Sequence, residues 1–127
     1  MNEDFLGYDL AVKLKEKGFP QIKKGTLAMY NEEGEWYSLS KTLDDYYYSF
    51  EDFDDKDCVC PTISQVLKWL RKEKNIHIDI RLFTCGYGFD IYKIYPKELI
   101  VWSGTLEYEA FEQAAIAGIE YTLYNLI

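Results

Sequence analysis

Residues 61–83 read PTISQVLKWLRKEKNIHIDIRLF, and this stretch decides the fold class. Pro61 precedes Thr62, and Gln65 follows three residues later, the spacing of a capping box at a helix start. Ile63, Val66, Leu67 and Leu70 then recur at helical spacing, while Lys68, Arg71 and Lys72 gather on the opposite side. Asn75 ends the helix. From Ile76 the period changes from 3.6 to 2. Ile76, Ile78, Ile80 and Leu82 alternate with His77, Asp79, Arg81 and Phe83, the pattern of a sheet with one buried face. A helix feeding straight into a one-sided strand points to an α+β domain with antiparallel pairing.

Working outward toward the C-terminus, Thr84-Cys85-Gly86-Tyr87-Gly88 reads as a hairpin loop and Phe89 to Tyr95 as its return strand. Pro96 ends that strand because proline has no N–H for the ladder. Leu99 to Trp102 is a short third strand. A last helix is expected to start near Thr105, a suitable N-cap, with Glu107 and Glu109 in its first turn. Its apolar face carries Ala114, Ala115 and Gly118, small enough to let it lie close to a sheet.

Toward the N-terminus, Leu27 to Tyr30 and Trp36 to Leu39 form a hairpin across Asn31-Glu32-Glu33-Gly34. A first helix is expected over Asp4 to Lys17, with Leu6, Leu10, Ala11 and Leu14 on one face. Gly18 supplies the left-handed residue after it, Phe19 the apolar contact and Pro20 the stop. The order α-β-β-α-β-β-β-α predicts one α+β domain over 1–127. It would hold an antiparallel sheet of about five strands with three helices on one face.

Composition narrows the function classes. The chain has 127 residues, 48% hydrophobic and 28% charged, which suits a globular core and argues against global disorder. Aromatics reach 17%, including 12 Tyr. Half-buried strands account for most of them, and a tyrosine-rich binding surface is the alternative. The net charge of -8 makes free nucleic acid a poor partner. Met1-Asn2-Glu3-Asp4 has the wrong sign for a signal peptide, and no apolar run has the length of a membrane span. The expected location is cytoplasmic, where the three cysteines, Cys58, Cys60 and Cys85, would stay reduced. A zinc site from these and His77 would need the wider Cys spacings of structural zinc. Free thiols in or near the core are the simpler expectation.

The feature that breaks the pattern is DDYYYSFEDFDDKD, residues 44–57, expected to be a loop. Its seven acids face one base, Lys56, so most of the acidity of the chain is local. The candidate partner-binding residues are Asp44, Asp45, Tyr46, Tyr47, Tyr48, Asp52, Asp54 and Asp55. Read as a calcium loop from Asp52, the segment fails, because Asp57 stands where an EF-hand needs glycine and Ile63 where it needs glutamate. Closely spaced carboxylates with aromatic spacers could instead offer a basic DNA-binding protein a substitute for a phosphate backbone. A solvated loop is the plainer reading.

No nucleophile elbow, phosphate loop or HExxH motif is present. His77 reads as a half-exposed sheet histidine. Lys68, Arg71, Lys72 and Lys74 read as a solvated helix face. Nothing calls for a cofactor, metal or catalytic residue.

Several stretches carry a resemblance: Leu10 with Leu14-Lys15 and Lys17-Gly18-Phe19; Ala28 and Tyr30; Pro61-Thr62, Gln65 and Lys68-Trp69-Leu70-Arg71; Ile76 and Ile78; and Ala114, Gly118-Ile119, Tyr121, Leu123 and Leu126-Ile127. The chain resembles a family of small uncharacterised proteins of the Bacteroides group, often encoded in prophage-like or mobile-element regions. The PTxxQxxKWLR segment is its most specific part. The resemblance implies no activity; it implies a phage or mobile-element accessory role. The leading expectation is a non-enzymatic protein that binds another macromolecule, most simply a protein. The alternatives are an acidic DNA mimic and a small hydrolase or metal-dependent enzyme.

Overall fold

The computed structural model describes residues 5–21, 28–38, 56–103 and 107–127. They fall into two compact units, Met1–Thr62 and Ile63–Ile127.

In the first unit, α1 spans Tyr8–Glu16. It begins four residues later than its apolar periodicity suggested, because the backbone before it is already in use. Phe5 forms an antiparallel bridge with Thr62, and the Leu6 N–H donates to the Pro61 carbonyl at 3.0 Å. The C-terminus is the Schellman motif read from the sequence. Gly18 takes φ 93°, its N–H reaches the Lys15 carbonyl, and the Phe19 N–H reaches the Leu14 carbonyl at 2.9 Å. Leu10, Ala11, Leu14 and Phe19 are buried.

The hairpin forms as expected. β1, Ala28–Tyr30, and β2, Trp36–Ser38, pair antiparallel with Met29 opposite Tyr37. The Asn31 side chain holds the turn, its Oδ1 accepting from the N–H groups of Glu33 at 3.0 Å and Glu35 at 2.9 Å. A third strand, β3, Cys58–Val59, pairs with the other edge of β1. It corrects the expected count of about five strands. Two residues are too few to show a period, so β3 was invisible to pattern reading. Among the described residues there are six strands in two three-stranded antiparallel sheets, ordered β2-β1-β3 here and β4-β5-β6 in the second unit.

In the second unit, α2 spans Ile63–Glu73 and buries Ile63, Val66, Trp69 and Leu70. Asn75 takes φ 59° after it, and its side-chain amide bonds the Tyr95 backbone at both ends, at 2.8 and 3.1 Å. β4, Ile76–Leu82, pairs along its whole length with β5, Tyr87–Lys93. The loop is shorter than expected: Tyr87 and Gly88 belong to β5, and the Phe83 N–H bonds the Gly86 carbonyl at 2.7 Å. β6, Glu98–Trp102, pairs with β5 through a bulge that leaves Ile100 without an opposite residue.

α3 spans Phe111–Asn125, later than the start expected near Thr105, a residue outside those described. The reason is again a competing bridge: the Tyr108 backbone exchanges two hydrogen bonds with Tyr87, at 2.7 and 2.8 Å. That holds the segment extended, so Glu107 and Glu109 precede the helix. Gln113 accepts from the Ala110 N–H at 3.2 Å and supplies the cap. The small residues work as expected: a Cβ on Gly118 would stand 2.8 Å from Ile78 Cγ2. The buried face of the sheet is narrower than the alternation implied. Ile76 and Ile78 are buried, but Leu82 at the far end of β4 is exposed.

Candidate functional site

Asp44, Asp45, Tyr46, Tyr47, Tyr48, Asp52, Asp54 and Asp55 lie outside the described residues. Of segment 44–57, Lys56 and Asp57 are described. Asp57 accepts from the Tyr37 hydroxyl at 2.6 Å, and its carbonyl accepts from Lys15 Nζ at 2.8 Å. The C-terminal end of the segment is therefore tied to β2 and α1.

The thiols of the first unit are enclosed. Cys58 and Cys60 are buried beside Ala11, Ala28 and Tyr30. The Leu6 carbonyl accepts from both the Tyr30 hydroxyl, at 2.7 Å, and the Cys60 thiol, at 3.5 Å. Burial pushes the Cys60 thiol up, and the Tyr30 hydroxyl and Trp36 indole N–H offset part of that. Burial also raises Cys58, against an opposing pull from Lys15. Burial raises Tyr30 as well, assisted by Cys60. Thiols held protonated in this way are poor nucleophiles. Cys85, expected in or near the core, is exposed. Among the described residues no group of three His, Cys, Asp or Glu could hold a metal ion.

The second unit presents a different surface. Ile76 and Ile78 point toward the helices, so alternation turns His77, Asp79 and Arg81 to the other face of the sheet. Pairing aligns Asp79 with Asp90 and Trp102 across three strands, and His77 with Tyr92 and Leu99. Asp90 is only 2% exposed. Its Oδ2 accepts from Arg81 Nη1 at 2.8 Å, which raises the pKa of the guanidinium, while its Oδ1 has no partner. Arg81 stacks over the Phe83 ring at 5.3 Å. That ring occupies space a side chain at 88 would need: a Cβ on Gly88 would stand 2.5 Å from it. Absence of a side chain at Gly88 thus seats Phe83, and Phe83 seats the arginine that neutralises Asp90.

Two hollows flank this sheet. One, of 330 Å³, is lined by His77, Asp79, Tyr92, Lys93, Ile94 and Lys97, with Lys97 5.6 Å from the Tyr92 ring. The other, of 710 Å³, runs along α3 and is mostly apolar, with Phe89, Ile116, Tyr121 and Tyr124 in its lining. His77 is half-buried, as expected for a sheet histidine. Arg71, Lys72 and Lys74 are exposed, with Lys74 5.4 Å from the Trp69 ring.

Sequence reading missed the apolar exposure of this unit. Tyr95 is 84% exposed, Leu82 73%, Trp102 61% and Leu99 53%. The available signal was Leu99 to Trp102 itself: an apolar run after a proline, last in a series of hairpin strands, is an edge strand with nothing beyond it. Among the described residues, no helix is long and apolar enough to cross a membrane. No family model, curated protein or solved structure matches the chain.

Proposed function

We propose that the chain is a non-enzymatic protein that acts by binding another macromolecule, most simply a protein. The observation that carries this reading is the exposure of Tyr95, Leu82, Trp102 and Leu99 on one compact unit. Large aromatic and aliphatic side chains are the residues from which interface cores are built, and the strand register places two of the four, Leu99 and Trp102, on one face of the sheet. The acidic, tyrosine-rich segment 44–57 adds a second surface of a different chemistry. The resemblance to proteins of prophage-like and mobile-element regions supports an accessory role in that setting, at an expected cytoplasmic location.

The test is retention of proteins from bacterial lysate on three immobilised forms: the natural chain, a variant with Leu99→Lys and Trp102→Lys, and a variant with residues 44, 45, 52, 54 and 55 changed from Asp to Asn. The expected result is a discrete protein held by the natural chain and lost from at least one variant. No retention above background, or equal retention by all three, overturns the reading.

A second reading, a DNA mimic that captures a basic DNA-binding protein, is favoured by the concentration of seven acids against one base in fourteen residues. Its mark is loss of capture in the Asp→Asn variant together with steep weakening as salt rises. Salt-insensitive capture rejects it.

A further inference from the structure

The first unit closes two sulfurs into one enclosure. Cys58 and Cys60 are 2% and 1% exposed. Alternate residues of an extended strand face the same way, and both thiols enter the cluster formed with Ala11, Ala28 and Tyr30. Cys58 stands opposite Tyr30 in the register, and the Cys60 N–H donates to the Ala28 carbonyl at 3.0 Å. Positive and donor groups surround the pair. Lys15 Nζ is held at the Asp57 carbonyl, next to Cys58, at 2.8 Å. Trp36 packs against the same cluster, with its indole N–H within reach of Cys60. That N–H is sealed from solvent and has no hydrogen-bond partner among the described residues. A buried donor without an acceptor is an exception that calls for a cause. The acceptor it lacks is one stronger than a neutral thiol.

The donor set and its spacing narrow the ligand. Thiolates select soft metal ions. Zinc takes four ligands, and among the described residues no third His, Cys, Asp or Glu joins the pair. Monovalent copper is satisfied by two. Residues two apart on a strand have Cα atoms about 6.6–6.8 Å apart, at the upper end of what a disulfide spans. An ion between the sulfurs leaves them about 4.5 Å apart, against about 2.05 Å in a disulfide. An intervening ion therefore suits this backbone better than a direct bond.

We propose that Cys58 and Cys60 bind one Cu(I) ion as a two-coordinate bis-thiolate, with the Trp36 indole N–H donating to the Cys60 sulfur. This goes beyond the binding of another macromolecule and does not depend on it. One Cu(I) and two thiols give a copper bis-thiolate anion and two protons, and no electron is transferred. The single negative charge that remains stands beside Lys15. Burial that disfavours a bare thiolate bears less on this exchange, because the ion takes the place of the protons. β3 is two residues long and lies at the edge of its sheet, so entry requires only local opening.

The experiment loads the full, reduced chain with Cu(I) without oxygen, during refolding from urea, and then challenges it with a phenanthroline-type Cu(I) chelator. The expected result is one retained copper per 15.0 kDa chain, with an ultraviolet thiolate-to-copper band. The unfolding midpoint is expected to rise, since an ion held by the folded state stabilises it. Cys58→Ser and Cys60→Ser are each expected to lose the copper, and Cys85→Ser to keep it. Trp36→Phe is expected to weaken retention about 10-fold, as loss of a group that bonds a metal ligand does. Copper stripped from the natural chain as readily as from the serine variants overturns the proposal. So does retention that depends on Cys85, or a midpoint that copper lowers or leaves unmoved, the mark of binding to the unfolded chain. Unchanged retention in Trp36→Phe places the ion outside this enclosure and overturns it too. Should a serine variant fail to fold, the stoichiometry, the midpoint and Trp36→Phe decide the matter.

Discussion

The two compact units put their polar and apolar material in opposite places. The first unit, 1–62, holds nearly all of the net charge, yet its interior carries hydroxyl and thiol groups, with Tyr30 and Cys60 sharing the Leu6 carbonyl. Its strands are two or three residues long. The second unit, 63–127, is almost neutral, has strands of five to seven residues, and exposes Leu82, Tyr95, Leu99 and Trp102. Short strands give few ladder bonds, so side-chain hydrogen bonds and a capped helix do more of the holding in the first unit. Long strands hold themselves, and that frees the outer strand of the second unit to present apolar side chains. The lesson is that overall charge misdescribes this protein, because neither unit resembles the average.

The largest expected effects come from the cores. Leu14→Ala in the first unit and Ile91→Ala in the second each remove a fully buried side chain. Each is expected to cost about 2–5 kcal/mol in urea unfolding. A loss below ~1 kcal/mol for either would mean that its unit is loosely packed.

Next are the close approaches. Gly118→Ala drives a methyl against Ile78, and Gly88→Ala drives one against the Phe83 ring and Ser103 Oγ. Overpacking of this kind is expected to cost about 1–3 kcal/mol. Truncating the ring in a Gly88→Ala, Phe83→Ala double variant is expected to recover part of the loss. Full additivity of the two changes would show that Phe83 does not occupy that space.

The thiol core of the first unit predicts a pH dependence of stability. Cys58, Cys60 and Tyr30 are all held protonated by burial. Below the ordinary thiol range both folded and unfolded chains keep these protons, and the full stability is present. Above about pH 8.5–9 the unfolded chain releases thiol protons that the fold retains, so stability falls as pH rises through the raised folded values. The limiting slope is about 1.4 kcal/mol per pH unit for each thiol, and Cys58→Ser with Cys60→Ser is expected to flatten it. Titration with a thiol reagent at neutral pH is expected to label Cys85 quickly and the other two only on denaturation. A rise in stability above pH 9, or rapid labelling of all three, contradicts the enclosed arrangement.

The smallest effect tests surface charge. Lys56 and Glu32 lie 3.8 Å apart, both largely exposed. Glu32→Gln is expected to change stability by less than ~0.5 kcal/mol. A larger loss would give the acidic first unit an electrostatic framework that its geometry does not suggest.

Much of the architecture was legible before any coordinates. Gly18-Phe19-Pro20 specifies its cap by local sterics alone, and Ile76 to Leu82 declares a strand by its period. Element starts were less legible. α1 and α3 both begin later than their apolar residues suggest, because Phe5, Leu6 and Tyr108 give their backbone groups to strand-like partners distant in the chain. The burial of Asp90 was hidden for the same reason. In sequence it is one acid among 22; only the pairing that brings Arg81 and Gly88 beside it makes it a buried carboxylate with a half-exposed cationic partner. Of the candidate site, the sequence delineates 44–57 by composition, while the exposed edge emerged only once β6 was seen to be the last strand.

By itself, then, the chain determined what depends on neighbours within a few residues: helix faces, caps, turns, the α+β class and the local crowding of acids. Tertiary structure alone decided the division of the described strands between two sheets, the enclosure of Cys58 and Cys60, and which apolar side chains stay outside. Those outcomes depend on which backbone edges find partners across long stretches of chain. A hydrogen bond between distant strands leaves no period in the sequence by which it could be read.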